Sequence, residues 1–480
     1  MRRKKQWIIN LLLPLAVIDS SMAEMEPTLD ELLDGFEEEL PRLSDESLDT
    51  VLDGFGPEES VAIEEADEDG AVPLQAALPL RGHWVNSGSW NIDHSAPING
   101  RPDYRGLSRL STKLWLELEQ PLFPGWKVHG DGFMRHDFSY AIHEESHYPQ
   151  AVIDQYQQDL ELGELWLTGS INPDLDIKLG RQIVVWGQSD YLRVNDTINP
   201  MDLREPGLGE IETLRRPLTM ARADYYKGEW HWSGMAIVEN RPNRIAPCGG
   251  EFSATGPLSE AECSVVTVIE QFPGDGLGEM EWGLSAMGRF SGWDLSFYAA
   301  RLNHDIPYRT LGSNLLRYAR VNQLGTALNI AQGSWLWKGE VAYLDGLEYA
   351  RAGDGSRVDL LLGGEYRGIT DVTLSLERVQ RQIRHYDAVL ITSPDYAPER
   401  VYQTLLAYLH NFDNDTLHLK GVVMRNGSTL DEGGYERLSL QYDLDDVWSI
   451  TTGGIIYHSG STPPDWGEND RLFIEFRQDF

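Results

Sequence analysis

Through most of this chain, apolar residues return at every second position, in short runs broken by Gly, Asp and Pro. In 437–444, Leu438, Leu440, Tyr442 and Leu444 share one side of an extended strand, and Arg437, Ser439, Gln441 and Asp443 share the other. In 335–343, Trp335, Trp337, Val341 and Tyr343 oppose Lys338 and Glu340. Leu114, Leu116 and Leu118 alternate with Glu117 and Glu119, and Leu417, Leu419 and Val423 with His418 and Lys420. One face of each run is apolar and the other is often charged. A soluble sandwich shows similar alternation turned inward. Three features favour a transmembrane barrel, whose apolar face meets lipid. Aromatics such as Trp282, Phe290, Trp293, Trp448 and Tyr457 sit near run ends, where interfacial girdles form. Tight turns at Ser291-Gly292, Gln332-Gly333, Gly368-Ile369 and Asp445-Asp446 alternate with long loops near 188–217, 243–280, 384–397 and 459–468. The chain also ends in Phe480, after Leu472, Ile474 and Phe476 on one face and Glu475, Arg477 and Asp479 on the other.

The expectation is an all-β, antiparallel up-and-down transmembrane β-barrel of about eighteen strands, from 80–93 to 469–480. Sixteen strands remain an alternative, because 80–93 and 155–170 alternate poorly. The alternating terminal segment, with Phe476 and Phe480, resembles the assembly signal of outer-membrane barrels, which makes the barrel-assembly machinery and membrane lipids expected partners. Gln478 departs from that pattern.

Ahead of the barrel (79–480), two segments are expected. Residues 1–23 read as a secretory signal peptide: Arg2, Arg3, Lys4 and Lys5, an apolar run from Trp7 to Ile18, then Ser21-Met22-Ala23. Residues 24–78 read as an acidic, disordered periplasmic tail; 24–72 alone carries a net charge of −18 of the whole chain's −36. Within it Leu29, Leu32, Leu33 and Phe36 recur as Leu48, Val51, Leu52 and Phe55, in a repeated LDxxLDGF motif. That spacing lines one helical face, suited to docking in a partner's groove; a solvated spacer is the alternative. So acidic a chain is a poor nucleic-acid binder. Cys248 and Cys263 flank a Gly/Ser-rich stretch, and export permits a disulfide that staples one long loop.

No enzyme constellation emerges: there is no Gly-x-Ser-x-Gly elbow, His-Glu-x-x-His pair, phosphate loop or Cys-x-x-Cys. No catalytic residue, cofactor or metal is expected. His410 and His418 flank a turn whose polarity Asp413 and Asp415 explain. The unusual segment is 180–226, with a long aperiodic stretch that is rich in Pro and in both signs of charge. Arg181, Trp186, Arg193, Asp196, Arg204, Glu205, Arg215 and Arg216 are its candidates for a pore constriction, in which opposed charges narrow a bore. A salt-bridged plug without a transport role is the alternative.

Gly180-Arg-Gln-Ile-Val-Val-Trp-Gly187, Asn199-Pro-Met-Asp-Leu-Arg-Glu-Pro-Gly207 and Arg215-Arg-Pro-Leu-Thr-Met220 resemble the signature of the domain-of-unknown-function family 1302, DUF1302. The resemblance runs from about Arg81 to Phe480. It implies an outer-membrane barrel often encoded beside large inner-membrane exporters of the resistance-nodulation-division type, and no settled activity or catalytic residue. The expected function is a channel or the outer-membrane component of an export route, for hydrophobic or lipid-like molecules, with the acidic tail recruiting a periplasmic or inner-membrane exporter. The alternatives are a diffusion porin, cation-favouring because the barrel part carries −21, and a barrel enzyme.

Overall fold

The computed structural model describes residues 79–209, 211–266, 268–460 and 466–480. The expected signal peptide and the acidic tail with its repeated motif lie outside the described residues.

Eighteen strands form one closed antiparallel sheet. They are β1 (Leu80–Asn91), β2 (Gly106–Phe123), β3 (Trp126–Asp137), β4 (Gln158–Asn172), β5 (Leu175–Gln182), β6 (Leu218–Lys227), β7 (Trp230–Ile237), β8 (Glu281–Phe290) and β9 (Trp293–Asn303), continuing with β10 (Arg320–Gln332), β11 (Trp335–Tyr349), β12 (Gly353–Ile369), β13 (Val372–Arg384), β14 (Arg400–Phe412), β15 (Leu417–Asn426), β16 (Gly434–Asp443), β17 (Trp448–His458) and β18 (Arg471–Asp479). Each pairs with the next. The last closes on the first, with His83 opposite Asp479 and Asn91 opposite Arg471. Gly82 and Phe480 exchange both backbone hydrogen bonds at 2.9 Å. Closure leaves no sheet edge, so every strand meets its backbone hydrogen bonds within the sheet, as hydrocarbon surroundings demand.

The two-residue period sorts the side chains. Trp335, Trp337, Val341 and Tyr343 are exposed on the outer face, while Lys338 and Glu340 are buried on the inner one. Leu472, Ile474, Phe476 and Phe480 are likewise exposed on the outside. An exposed apolar exterior around a buried charged interior is stable in a bilayer and not in water.

All connections longer than four residues lie at one rim; at the other, every connection is a tight turn. Aromatics ring the tight-turn rim. Phe290 stacks on Trp293 at 4.3 Å, Trp335 on Trp337 at 5.0 Å, and Phe123 lies 5.6 Å from Trp126. Tyr457, expected among such residues, is instead fully buried inside.

Three strand and turn bounds need correction, while the expected count of eighteen holds. The two poorly alternating runs are strands. Their pattern breaks because register shifts fall at Ser89/Trp90 in β1 and between β3 and β4 opposite Gly130/Gly132; a bulge moves later side chains onto the other face. β4 begins at Gln158, because Gln150–Tyr156 is helical. The turn placed at Gly368-Ile369 falls at 370–371, where Asp371 takes a φ of 59°. β5 ends at Gln182, five residues before the expected end, because the chain there leaves the wall.

Candidate functional site: an inward-folded segment across the bore

β5 and β7 are short, at eight residues each, where a tilted spanning strand takes about 9–11. Residues 183–217 connect β5 to β6. The rim position alone would place this connection outside the barrel. Its contacts place it within.

Near its start the segment is held by two carboxylates on the inner face of the wall. Glu340 of β11 accepts from the backbone N–H groups of Gln188 at 2.6 Å, Ser189 at 2.9 Å and Asn195 at 3.1 Å, and from the Asn195 side chain at 2.9 Å. Glu377 of β13 accepts from the Ser189 hydroxyl at 2.6 Å and from the N–H groups of Asp190 and Leu192, each at 3.1 Å. Each carboxylate thereby satisfies backbone donors that an aperiodic segment cannot satisfy itself. Arg381 of β13 donates to the Arg193 carbonyl at 2.9 Å. Glycines permit the close approach: a Cβ at Gly325 of β10 would overlap the Asn195 side chain.

Farther along, the segment reaches the opposite wall. Glu205 pairs with Arg109 of β2 and lies 3.8 Å from Arg135 of β3. Tyr457 of β17 donates to the Pro206 carbonyl at 2.6 Å, and Arg437 of β16 donates to the carbonyls of Gly207 and Leu208 at 3.3 and 3.2 Å. β11 and β2 stand half a turn apart in the ring of eighteen. The segment therefore crosses the bore.

Seven of the eight residues singled out from sequence fall into three groups, the second and third joined through Arg244. Arg193 and Arg215 both pair with Asp196, at 3.2 and 2.9 Å, and so tie the segment to itself. Arg204 and Glu205 attach it to the far wall; Arg204 pairs with Asp159 at 2.7 Å and Asp202 at 2.6 Å. Arg181 and Arg216 pair within a network of Glu161, Glu239, Arg241 and Arg244, which Arg244 links to the Arg204 group through Asp159 at 3.3 Å. Trp186 is buried against Tyr298, with ring centroids 5.0 Å apart. Sequence reading missed Glu340, Glu377, Arg109, Arg135, Arg437 and Tyr457. All but Tyr457 are charged residues on strands, and their charge on an inward position was the available signal.

Burial raises the Glu205 carboxyl, but the guanidinium groups of Arg109 and Arg135 outweigh it and hold the group at about 2. Its depressed value means the attachment is at full strength above its ordinary 4.5 and fades as pH falls towards about 2.

Above the segment, the 238–280 connection carries the Cys248–Cys263 disulfide. It reaches over the mouth to the seam between β18 and β1, where Glu251 pairs with Arg471 at 2.6 Å and His94 at 3.0 Å. Phe252 packs on Tyr457 at 5.5 Å. In the neighbouring 304–319 connection, burial pushes the Asp305 carboxyl up to about 7; Glu281 and Asp196 add to the shift and Arg193 opposes it. A raised carboxyl favours the folded rim below its ordinary 3.8, and that contribution is lost as pH rises through about 7. Protection of the 304–319 amides, the exchange rate taken relative to the intrinsic rate at each pH, is therefore expected to fall between pH 4 and 8, and Asp305→Asn to flatten that dependence. A flat profile in the unaltered chain would refute this.

The profile of the family described as "Protein of unknown function (DUF1302)" matches residues 73–462. Among solved structures, a BenF-like porin from Pseudomonas fluorescens Pf-5 superposes with a TM-score of 0.52 at 10% identity, covering 84% of this chain and 98% of that one. OccAB1 of Acinetobacter baumannii is 9% identical with a TM-score of 0.49, covering 84% of this chain and 96% of that one. At 10% identity, the likeness to the BenF-like porin is one of fold. A search of curated proteins by sequence found no match.

Proposed function

The chain belongs to the DUF1302 family of proteins of unknown function, and from that membership and the fold we propose that it is an outer-membrane channel narrowed by its own 183–217 segment. The observation that carries the reading is the anchoring of that segment on opposite walls, by Glu340 and Glu377 on one side and by Arg109, Tyr457 and Arg437 on the other. A strut across a bore sets the width and charge of the path beside it. Paired Arg and Asp/Glu groups hold the strut in place. Planar-bilayer recording of the purified barrel tests the reading: discrete, reproducible current steps are expected, and a barrel that carries no current under any applied voltage would refute a standing channel.

The cargo class we propose is hydrophobic or lipid-like, with the channel serving as the outer-membrane component of an export route. The acidic 24–78 segment recruits a periplasmic or inner-membrane exporter through its repeated LDxxLDGF motif. Deleting 24–72 should leave barrel assembly intact and abolish co-purification with the partner. Recruitment that survives the deletion would remove the tail from the scheme. A cation-favouring diffusion pore is the second reading, favoured by the −21 charge of residues 73–480. Reversal potentials in a salt gradient distinguish the two, because a diffusion pore lined by that charge gives a strongly cation-selective potential and an unselective one removes this reading.

A further inference from the structure

Near the tight-turn rim, on the inner face of β3 and β4, three side chains converge that the channel reading does not use. His129 Nε2 lies 3.1 Å from Asp131 Oδ2. One ligand atom from each of His129, Asp131 and Glu164 falls within 4.8 Å of the other two. His129 is more than nine-tenths buried, and its Nδ1 is buried without a hydrogen-bond partner. That nitrogen points at a second pair of carboxylates, with Glu117 at 3.5 Å and Glu119 at 3.8 Å.

A neutral imidazole has one donor and one acceptor nitrogen. Here both nitrogens face carboxylates. If Nδ1–H donates towards Glu117, the Nε2 lone pair faces Asp131 and Glu164, and like polarity meets like. A metal cation between Nε2 and those two carboxylates removes the conflict, as would a second ring proton, and metal uptake tells the two apart. With the metal, Nε2 ligates, and Nδ1–H is directed at Glu117. This is the carboxylate–histidine–metal arrangement by which an outer carboxylate fixes the tautomer and raises the basicity of a ligating imidazole.

The surroundings hold these groups in place. The imidazole stacks on Trp166 at 4.7 Å and 8°. The β4 bulge supplies Gly163, where a Cβ would overlap the Asp131 carboxylate, and the Glu164 N–H donates to Asp131 at 3.1 Å. Glu164 also accepts from the Ile183 N–H at 2.7 Å, the first residue of the bore-crossing segment. Lys178 lies 4.0 Å from Glu164 and 3.9 Å over the Trp166 ring, so it neutralises part of the carboxylate charge without entering the His129–Asp131 contact.

We propose that His129, Asp131 and Glu164 form a binding site for a divalent first-row transition ion, with Glu117 as the outer partner of the imidazole. One nitrogen and two carboxylate oxygens suit zinc, whose ligand distances are about 2.0–2.2 Å and which leaves a fourth position to water. A calcium site would take six or more oxygens and no imidazole. The site anchors the root of the bore-crossing segment through Glu164 and Ile183.

The test is zinc binding to the full-length barrel in detergent micelles, followed by equilibrium dialysis and metal analysis. One zinc per chain is expected, undisplaced by excess calcium. His129→Gln and Asp131→Asn should abolish it, and Glu117→Gln should weaken it about tenfold. Absence of stoichiometric zinc, or binding that persists in His129→Gln, would overturn the site. Equal uptake of calcium in His129→Gln would mark a diffuse carboxylate cluster and overturn it as well. Heat-modifiable migration on gels reports whether each variant assembles. If the variants do not, cobalt bound to the unaltered barrel decides: intense visible bands of a four-coordinate site support the proposal, and their absence refutes it.

Discussion

Replacing Glu340 and Glu377 together by Ala will leave the barrel assembled and raise its single-channel conductance severalfold. The two carboxylates accept from five backbone N–H groups, the Asn195 amide and the Ser189 hydroxyl, all within 183–217. A hydrogen bond to a charged group contributes about 1.5–3 kcal/mol, and a buried donor left unmet costs a similar amount. Losing several at once weakens the attachment by roughly 5 kcal/mol or more. The wall is insulated from this loss, because β11 and β13 keep their backbone ladders with β10, β12 and β14. Glu340→Gln is the informative control, since it retains one carbonyl acceptor and should give an intermediate conductance. Unchanged conductance in the double variant, with 188–195 shown by hydrogen exchange to be released, would mean that this segment does not narrow the path.

Arg204→Ala should produce the second-largest effect, a local opening at the far wall. Arg204 is 5% exposed and pairs with both Asp159 and Asp202 while lying 5.4 Å over the Tyr156 ring. Removing one member of a buried ion pair costs about 3–5 kcal/mol, because its partner remains buried and charged. Arg244 still reaches Asp159 at 3.3 Å, which places the expected loss near the lower figure. Hydrogen exchange should quicken in 150–160 and 200–209 and remain slow in 187–195, which is held from the other side. Arg204→Lys should recover little, since an ammonium cannot reproduce the planar fork that meets two carboxylates. Uniform exchange across the whole segment would instead indicate that it detaches as one unit.

The barrel itself was legible in the sequence because its physics is local. Whether Trp337 or Lys338 meets lipid depends on the residue's place in a two-residue period, and Leu472 to Phe480 needs no distant information to declare an apolar outer face. Local irregularity set the errors. The bulges at Ser89/Trp90 and at the β3–β4 pairing blurred the alternation of two strands, and the turn at 370–371 was misplaced by two residues. Legibility fell at the bore. The eight charged and aromatic residues of 180–216 were recognisable as unusual, yet which of them tie the segment to itself, such as Arg193, Asp196 and Arg215, and which grip the wall, such as Glu205, depends on partners as far away in sequence as Tyr457.

His129, Asp131 and Glu164 show the same division. His129 and Asp131 share a strand face two residues apart, and that much the period supplies. Glu164 belongs to the next strand, displaced by a bulge, so no spacing motif announces it. Alternation alone determined that this chain encloses a polar interior in an apolar wall, because each strand's two faces are chosen residue by residue. What occupies that interior was decided only by ring closure: setting β11 half a turn from β2 gives a 35-residue connection two opposite walls to hold, and contacts across a bore have no counterpart in sequence distance.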